Sequence, residues 1–527
     1  MIENKYSEGI GMKVMGFSLP AFCEELFFDE AENKNSRVVT VEKADEALFD
    51  KYCALFEGEG FSKKEERQRD GNLFAAYLKD STGIFVSYFS ALSELSIVVE
   101  ENCRYFDYTD SPAGVSVTPQ ITQIALEDFG MSYAIRLPDG RFILIDGGRE
   151  FEIDADKLFR CLKSGSPFDT PVIAAWIMTH PHSDHYFCFI PFMNKYADSV
   201  KIEKFILNFP EADDYIHYPK LEKYSLEYMP RMFELIEKTG APIYMAHTGQ
   251  MYRIGDAVCE ILASMDNTIH LSDNINAASL VIRMELGGQV ILWATDASFS
   301  KAKLPERWGS YLKADILQVP HHGFQCGTAE AEMAGYDLIK PDVCFLPAID
   351  YNAYNFFCIH QKGTNHLYKL DCVKEVITGD VERTVTLPYE APSHAKREVE
   401  RKYISGLENN GARTWIFTEL WTDRKEDFNF TILNTAIVTA TVWIELFFED
   451  PASTVRFIKA EVKGGRMRRL SIIGDEVDGD ARYFNSDSLK SKGVPEGVPF
   501  AVRFMCETPI VVSHKDHKPA YHSMSQG

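Results

Sequence analysis

The stretch WIMTHPHSDHYFCFI, residues 176–190, constrains this chain more than any other feature. An apolar run ends at Met178, and three histidines and one aspartate follow within six positions. In an extended segment His180 and His182 point to the same side, so both imidazoles can reach one metal ion. The chain then turns, so that Asp184 and His185 can face a second ion. Imidazole and carboxylate together form a ligand set suited to zinc, iron or manganese.

Length and composition indicate a globular protein of several domains. The chain has 527 residues, more than one ordinary core accommodates, so two or three domains are expected. Hydrophobic residues make up 45% and charged residues 25%, which is the balance of a folded protein rather than a disordered one. The net charge of −23 would repel a polyphosphate backbone and argues against nucleic acid as a partner.

The sequence predicts a cytoplasmic protein without a membrane partner. The first residues, MIENKYSEGIGMKVMG, lack a basic start followed by a long apolar run, so no secretory signal is visible. The apolar stretch AIVTATVWIELFF, 436–448, has 13 residues rich in β-branched side chains, which is typical of a buried strand. Eleven cysteines without a CxxC pair favour free thiols in a reducing compartment.

Three regions differ in their sequence pattern. Residues 1–115 predict a small α+β domain, with a helix at 48–61 and two short strands at 72–89. Residues 116–390 alternate apolar strands with helices, which predicts a layered α/β domain. Residues 391–527 predict a β-rich domain, and its basic cluster at 459–469 is typical of a solvated strand edge.

The motif THPHSDH resembles the signature of the metallo-β-lactamase fold superfamily, and further elements follow in the family's order. FILIDGG, 142–148, resembles the strand–Asp–x–Gly element, and VILWATDA, 290–297, resembles the strand that ends in Gly-Asp, although Thr295 replaces the glycine. DILQVPHHGF, 315–324, resembles the His-His-Gly ending of a branch that includes phosphorylcholine esterases and competence-type nucleases. The resemblance covers about residues 117–390 and implies an α/β fold with a four-layer αββα core.

The resemblance also implies two divalent metal ions, zinc first, with manganese or iron as alternatives. The implied ligands of the first ion are His180, His182 and Asp296, and those of the second are Asp184, His185, Asp296 and His322. Asp296 would bridge the two ions, and Asp146 would support the histidine loop from behind. His321 would bind a substrate oxyanion or pass a proton, although the roles of His321 and His322 could also be exchanged.

One expected ligand is missing. Many members of the superfamily supply a further histidine some twenty residues before the bridging aspartate, where this chain has Asn276. Solvent or Asn276 would then complete the first site. Three other histidines occur in this part of the chain. His247 is interpreted as structural and His270 could reach the site from a loop, whereas the sequence indicates no role for His217.

The expected reaction is hydrolysis by a hydroxide that bridges the two ions. Their joint charge lowers the pKa of a shared water from about 15.7 toward about 7. Asp184 would orient this nucleophile, and His321 would act as an electrophile or a general acid. The favoured substrate is a small-molecule phosphoester or a related small ester.

Two other functions stay open on the same residues. One is a competence-type nuclease-like phosphodiesterase acting on nucleic acid, against which the acidic charge argues. The other is a di-iron redox protein on the same fold. Flavodiiron-type members carry a glutamate between the first two histidines, where this chain has Pro181. The sequence leaves the oligomeric state open.

Overall fold

The computed structural model of the chain forms two compact units, residues 1–396 and 397–527. The boundaries of the three predicted domains stay a prediction. The residues that the structure describes are 12–14, 17–19, 27–33, 36–210, 224–267, 274–353, 357–358, 361–392, 407–408, 411–420, 428–434, 439–448, 456–470 and 498–516.

Two sheets form the centre of the first unit. The first central sheet has the strand order Ile243–Met245, Phe205–Leu207, Val172–Ile177, Phe142–Asp146, Ser132–Arg136, Gln120–Gln123 and Arg383–Thr386, with Lys201–Ile202 beside Val172–Ile177. The second central sheet has the order Met251–Ile254, Ala257–Ala263, Val281–Leu286, Gln289–Trp293, Ile316–Gln318, Val343–Leu346 and Glu375–Thr378. Both sheets contain neighbouring parallel strands, so the carboxyl ends of these strands lie at one edge of each sheet.

The two central sheets pack face to face. Ile143 of the first sheet and Ile291 of the second belong to one buried hydrophobic cluster. The ring of Tyr133 on the first sheet meets that of Trp293 on the second at a centroid distance of 4.9 Å. Because side chains alternate along a strand, the opposite face of each sheet needs its own apolar cover.

Helices supply that cover. Outside the first central sheet lie Glu152–Gly165, Phe189–Tyr196 and Tyr224–Thr239, and they place Leu158, Phe192 and Met232 in a second buried cluster. Outside the second lie Leu304–Trp308, Ala329–Ile339 and Lys362–Lys369, where Tyr336 comes close to Cys344 of the sheet. The short helices Ser183–Tyr186 and Asp350–Asn352 lie in connecting segments. The predicted mixed α/β architecture is therefore confirmed.

A six-stranded N-terminal sheet completes the first unit. Its strand order is Phe27–Asn33, Ser36–Glu42, Glu94–Glu100, Thr82–Phe89, Asn72–Lys79 and Ser62–Arg69. Helix Glu46–Gly58 covers one face and begins at Asp45, whose carboxylate accepts a hydrogen bond from the Leu48 amide at 2.8 Å. On the other side Phe74 stacks on Trp308 at 5.6 Å. The helix and the two strands predicted at 48–61 and 72–89 are confirmed. A separate short hairpin joins Met12–Val14 to Phe17–Leu19.

The second unit is an antiparallel sheet in which the order of the strands in space differs from their order along the chain. Its main path runs Leu407–Glu408, Gly411–Leu420, Phe500–Asp516, Phe428–Asn434 and Arg466–Leu470, and Ala440–Phe448 pairs with both Phe500–Asp516 and Arg456–Val462. Val442 and Ile444 are buried, as expected for the apolar stretch at 436–448. Arg466–Leu470 lies at the end of the strand order with Arg466 and Arg469 exposed, so the basic cluster forms a strand edge as predicted.

The predictions about membrane spans and about free thiols apply to all of the residues that the structure describes. None of the helices described there is both long and apolar enough to cross a membrane. The ten cysteines described there are free thiols, as the absence of a CxxC pair predicts.

A buried cation joins the segment before the first central sheet to the sheet itself. Arg141 is 1% exposed, and its guanidinium donates hydrogen bonds to Asp110, Asp139 and Glu203. Losing one partner of a buried ionic cluster is costly, because the remaining charges stay in a medium that solvates them poorly.

We expect Arg141→Met to destabilise the protein by about 3–5 kcal/mol, since three carboxylates lose their shared cation. Urea and thermal unfolding followed by circular dichroism measure the change. Lys238→Met serves as a control because Lys238 pairs with Glu234 on an exposed helix surface. The control is expected to unfold like the wild type, and equal losses in the two variants would contradict the role given to Arg141.

Candidate metal centre

The chemistry-bearing motifs meet at one edge of the two central sheets. Each of four segments lies at or just after the end of a strand: Asp146, His180–His185, Asp296 and His321–His322. The strands before these segments are parallel neighbours within their own sheets, so their carboxyl ends lie side by side. Packing of the two sheets then brings the two halves of the site together.

The donor atoms form two groups, each with its atoms within 4.8 Å of one another: His180, His182 and Asp296, and Asp184, His185 and His322. Oδ2 of Asp296 lies 3.8 Å from Nε2 of His180 in the first group. The same oxygen lies 3.3 Å from Nε2 of His185 and 3.6 Å from Nε2 of His322 in the second. The structure thus brings together the side chains predicted as ligands. Their coordination of metal stays a prediction.

Asp146 holds the histidine loop from behind. Its Oδ2 accepts hydrogen bonds from Nδ1 of His185 and from Oγ1 of Thr179, both at 2.7 Å. Its Oδ1 accepts from the Thr179 amide at 2.8 Å. Asp146 is fully buried, so these bonds are shielded from water. In neutral His185 the proton therefore lies on Nδ1, and the lone pair of Nε2 points into the site.

His322 is oriented in the same way from the opposite side. Its Nδ1 donates to the carbonyl oxygen of Pro347 at 3.2 Å, which leaves Nε2 with a lone pair in the neutral ring. Nε2 of His322 lies 3.2 Å from Nε2 of His185. Two nitrogen lone pairs at this distance repel each other unless a proton or a cation lies between them. The donor set therefore fits a metal cation.

Electrostatics separate the histidines into two classes. Burial lowers the pKa of His180 and His182, to about 4 for His182. Burial acts against protonation of His185 and His322 as well, but the surrounding carboxylates outweigh it and raise both pKa values, to about 9 for His322. Burial would raise the pKa of Asp296, yet the histidines beside it hold this pKa well below its usual range. The carboxylate is thus anionic at neutral pH, as metal binding requires.

Backbone strain is concentrated at this edge. Left-handed backbone angles occur at four residues that are not glycine: Asp146, Thr295, His321 and His322, with φ between +50° and +54°. A β-branched residue rarely adopts this conformation. Thr295 is held there by its Oγ1, which donates to the carbonyl oxygen of Leu280 at 2.8 Å, and by its amide, which donates to Oε1 of Gln318 at 2.5 Å. Strain of this kind is typical of functional sites.

A glycine allows close approach between two loops of the site. A Cβ atom on Gly130 would lie 2.7 Å from the carbonyl oxygen of Asp184. The absence of that atom lets the amide of Met131 donate to the same oxygen at 3.0 Å. The loop before strand Ser132–Arg136 is therefore attached to the turn that carries Asp184 and His185.

Asn276 lies next to His321. Its Nδ2 donates to Nε2 of His321 at 3.1 Å, and that Nε2 lies 4.0 Å from Oδ2 of Asp296. Since Nε2 accepts, the proton of the neutral imidazole lies on Nδ1, which is without a hydrogen-bond partner among the described residues. The side chain of His321 is 26% exposed, more than that of His322. Nδ1 itself is buried, so the exposed part of the ring is not the atom that carries this proton.

The remaining histidines of this region lie elsewhere. Nδ1 of His247 lies 2.7 Å from Oδ2 of Asp266, and its Nε2 lies 3.4 Å from Oε2 of Glu100. Burial disfavours the charged ring, but the two carboxylates raise the pKa of His247 to about 10. This buried ion pairing agrees with the structural interpretation of His247. His217 and His270 lie outside the described residues.

Three residues of the site were missed by reasoning from the sequence. Thr179 and Gln318 hold Asp146 and Thr295, and the ring of Phe129 lies 4.1 Å from that of His322. Thr179 directly precedes His180, so its position in the sequence could have indicated that it belongs to the site. The sequence positions of Gln318 and Phe129 gave no such indication, because their partners are distant in sequence.

Comparisons with known proteins give structural neighbours of low sequence identity. Neither a protein-family model nor a curated protein matches the sequence. Among solved structures, the diiron β-hydroxylase CmlA from Streptomyces venezuelae aligns at 10% identity and a TM-score of 0.31, over 66% of this chain and 79% of that one. The flavodiiron protein from Giardia intestinalis aligns at 13% identity and a TM-score of 0.23, over 52% and 51% of the two chains.

A third neighbour covers a smaller part of the chain. The Anabaena sensory rhodopsin transducer aligns at 17% identity and a TM-score of 0.17, over 21% of this chain and 95% of that one. All three TM-scores are below 0.5, so these alignments carry no argument about fold or activity. What the site does is inferred from its own geometry.

We expect Asp146→Asn to weaken metal binding by about 10- to 100-fold, because the amide no longer holds the His185 imidazole with a charged acceptor. Competition with a chromophoric chelator measures the affinity for Zn²⁺. Asp266→Asn is the matched control, since Asp266 also accepts from a buried histidine at 2.7 Å but lies outside the two groups. Equal losses in both variants would show a general effect of destabilisation.

Another buried carboxyl group contacts the loop that follows the His-His-Gly segment. Glu332 is 2% exposed, and its Oε1 accepts a hydrogen bond from the Cys326 amide at 2.7 Å. Burial raises the pKa of Glu332 to about 7, against the smaller opposite effect of this hydrogen bond. The folded state therefore binds this proton more tightly than the unfolded state does.

The wild type should accordingly lose stability as the pH rises from about 4.5 through 7, and Glu332→Gln should remove this loss. The variant is expected to match the wild type near pH 4.5 and to exceed it by about 1–3 kcal/mol at pH 8. Urea unfolding at the two pH values measures the difference. Glu330→Gln, on the exposed side of the same helix, should show no gain at pH 8. A Glu332→Gln curve parallel to the wild type would contradict the expectation.

Proposed function

We propose that this chain is a dinuclear metal-dependent hydrolase of the metallo-β-lactamase fold superfamily, acting on a phosphoester or a related small ester. The observation that carries the proposal is the position of Asp296, whose Oδ2 faces both groups of donor atoms. Two face-to-face sheets with helices on their outer faces support a four-layer αββα core over residues 116–390.

The residues of the site divide the work of holding two ions. His180, His182 and Asp296 would hold the first ion, and Asp184, His185 and His322 the second, with Asp296 shared. Two divalent ions held there, zinc first and manganese or iron as alternatives, would lower the pKa of water and polarise the ester. Asn276 would support the site through His321, with which it forms a hydrogen bond, rather than as a metal ligand.

Other side chains position the reactants. The carboxylate of Asp184 is partly exposed while its Oδ2 lies 3.2 Å from Nε2 of His322, so it can accept a hydrogen bond from the attacking water. The ring of His321 is partly exposed, and its buried Nδ1 would donate to an oxygen of the ester after a rotation of the ring. Hydrolysis forms the bond between the water oxygen and phosphorus and breaks the bond to the leaving oxygen, which takes up a proton.

The alternatives receive less support from the same residues. The net charge of −23 opposes a nucleic-acid substrate. A di-iron redox site of the flavodiiron type would have a glutamate at the position of Pro181, between His180 and His182. The described donor groups contain two carboxylates, Asp184 and Asp296, and the adjacent carboxylate of Asp146 is already engaged by Thr179 and His185.

Metal analysis combined with a substrate screen tests the proposal. We expect two metal ions per chain and a metal-dependent phosphodiesterase activity that falls at least about 1,000-fold in Asp296→Ala, because this variant removes the shared ligand. Phosphomonoesters, thioesters and β-lactams complete the screen. Asp337→Ala is the control, since Asp337 pairs with His366 on the surface and should keep full activity.

Three results would overturn the proposal or change its substrate. Tightly bound iron with oxygen or nitric oxide reduction would make the chain a redox protein. A strong preference for single-stranded DNA would make it a nuclease. Full metal content without activity on any ester would remove the hydrolase assignment.

A further inference from the structure

Two phenylalanine rings lie beside the histidines of the metal centre. The ring of Phe129 lies 4.1 Å from the imidazole of His322 and 5.6 Å from the ring of Phe324. Phe324 in turn lies 5.7 Å from the imidazole of His321. Both phenylalanines are partly exposed. Phe129 and Phe324 together form the phenylalanine pair.

Phe129 is held in place by its backbone. Its amide donates to Oδ1 of Asp128 at 2.9 Å, and its carbonyl oxygen accepts from Nε of Arg149 at 3.1 Å. The next two residues are attached to the ligand-bearing turn through Gly130 and the hydrogen bond from Met131 to Asp184. The ring therefore keeps its position relative to the donor atoms.

Phe324 is held with equal precision. Its amide donates to the carbonyl oxygen of His321 at 2.8 Å, which closes a tight turn. Its ring packs edge-to-face on the buried ring of Phe357 at 4.6 Å. Gly323, with a φ of +94°, lets the chain turn so closely that a Cβ atom there would lie 2.9 Å from Phe357. Phe324 thus packs on a buried aromatic ring and stays partly exposed itself.

A large apolar ring that stays partly exposed beside a cluster of ionisable groups stabilises the fold less than a fully buried ring does, because less of its surface is removed from water. The rings of the phenylalanine pair are well placed to contact an apolar part of a ligand, because binding sites combine apolar walls with a few polar groups. The two rings are inclined by 63°, so they form a corner rather than a flat wall. A flat ring entering this corner can make a stacked contact with one phenylalanine and an edge contact with the other.

Resting on the proposed function, we propose that the phenylalanine pair is a subsite for an aryl group of the substrate, next to the group formed by Asp184, His185 and His322. The substrate is then an aryl ester of phosphoric acid rather than a purely alkyl or sugar ester. The pair selects the substrate by contact and takes no part in bond breaking.

Binding of phosphonates to the zinc-loaded protein tests this subsite without turnover. Isothermal titration with phenylphosphonate, cyclohexylphosphonate and methylphosphonate compares an aryl, an apolar and a minimal group on the same anion. We expect phenylphosphonate to bind about tenfold more tightly than methylphosphonate and clearly more tightly than cyclohexylphosphonate. Phe129→Leu and Phe324→Leu should each lower the phenyl-to-methyl ratio by about threefold or more. Because the ratio compares two ligands of the same variant, a general change in phosphonate affinity cancels from it.

Phe159→Leu is the matched control. Phe159 is also partly exposed and stacks on Tyr196 at 4.0 Å, but it lies on helix Glu152–Gly165, outside the first central sheet. Circular dichroism and zinc content verify that each variant is folded and loaded. The control should keep the wild-type phenyl-to-methyl ratio.

The two proposals can fail separately. Equal binding of phenylphosphonate and methylphosphonate, or of phenylphosphonate and cyclohexylphosphonate, overturns the aryl subsite and leaves the hydrolase standing. An unchanged ratio in both leucine variants also overturns it. If methylphosphonate does not bind and no ester is hydrolysed, the proposed function fails first and the subsite fails with it.

Discussion

The carboxylate of Asp146 is the contact on which the geometry of the site depends. Asp146 ends one strand of the first central sheet, and Thr179 follows the neighbouring parallel strand, so their hydrogen bonds join two strand ends. The same carboxylate fixes the imidazole of His185. Without this carboxylate, the turn that carries Asp184 and His185 would lose the only charged group among these hydrogen bonds. The nitrogen lone pairs would then no longer converge.

The second half of the site depends on packing rather than on hydrogen bonds alone. Asp296 and His322 follow strands of the second central sheet, and their distance from His185 is set by how closely the two sheets approach each other. The contact between Tyr133 and Trp293 is one of the core contacts that set this distance. A change deep in the core can therefore displace the donor atoms without touching any of them.

The sequence was informative where chemistry is local. The spacing of His180, His182, Asp184 and His185 directly after an apolar strand predicted a cluster of donors, and those side chains do come together. Alternation of strands and helices predicted the packed sheets, because the pattern of apolar residues follows from which faces are buried. The family resemblance added Asp146, Asp296 and His322, which lie too far along the chain for spacing to connect them.

Other features could not be read from the sequence, because they arise from contacts between distant segments. Asn276 stood out only as a missing histidine, and its hydrogen bond to His321 became visible once two loops met. Phe129 looked like any other apolar loop residue. Thr295 looked like a departure from a glycine pattern, whereas its left-handed backbone is held by Gln318 from the next strand. Tertiary context decides such positions.

The separation of the donors along the chain has a consequence for folding. His185 and His322 face each other although they are 137 positions apart in the sequence. A nascent or partly folded chain that has built only the first central sheet would hold three histidines and no complete set of donors. Tight capture of metal would then coincide with the docking of the second sheet, since a ligand that binds only the native arrangement stabilises that arrangement alone. Immature chains would be spared both misplaced ions and premature reactivity.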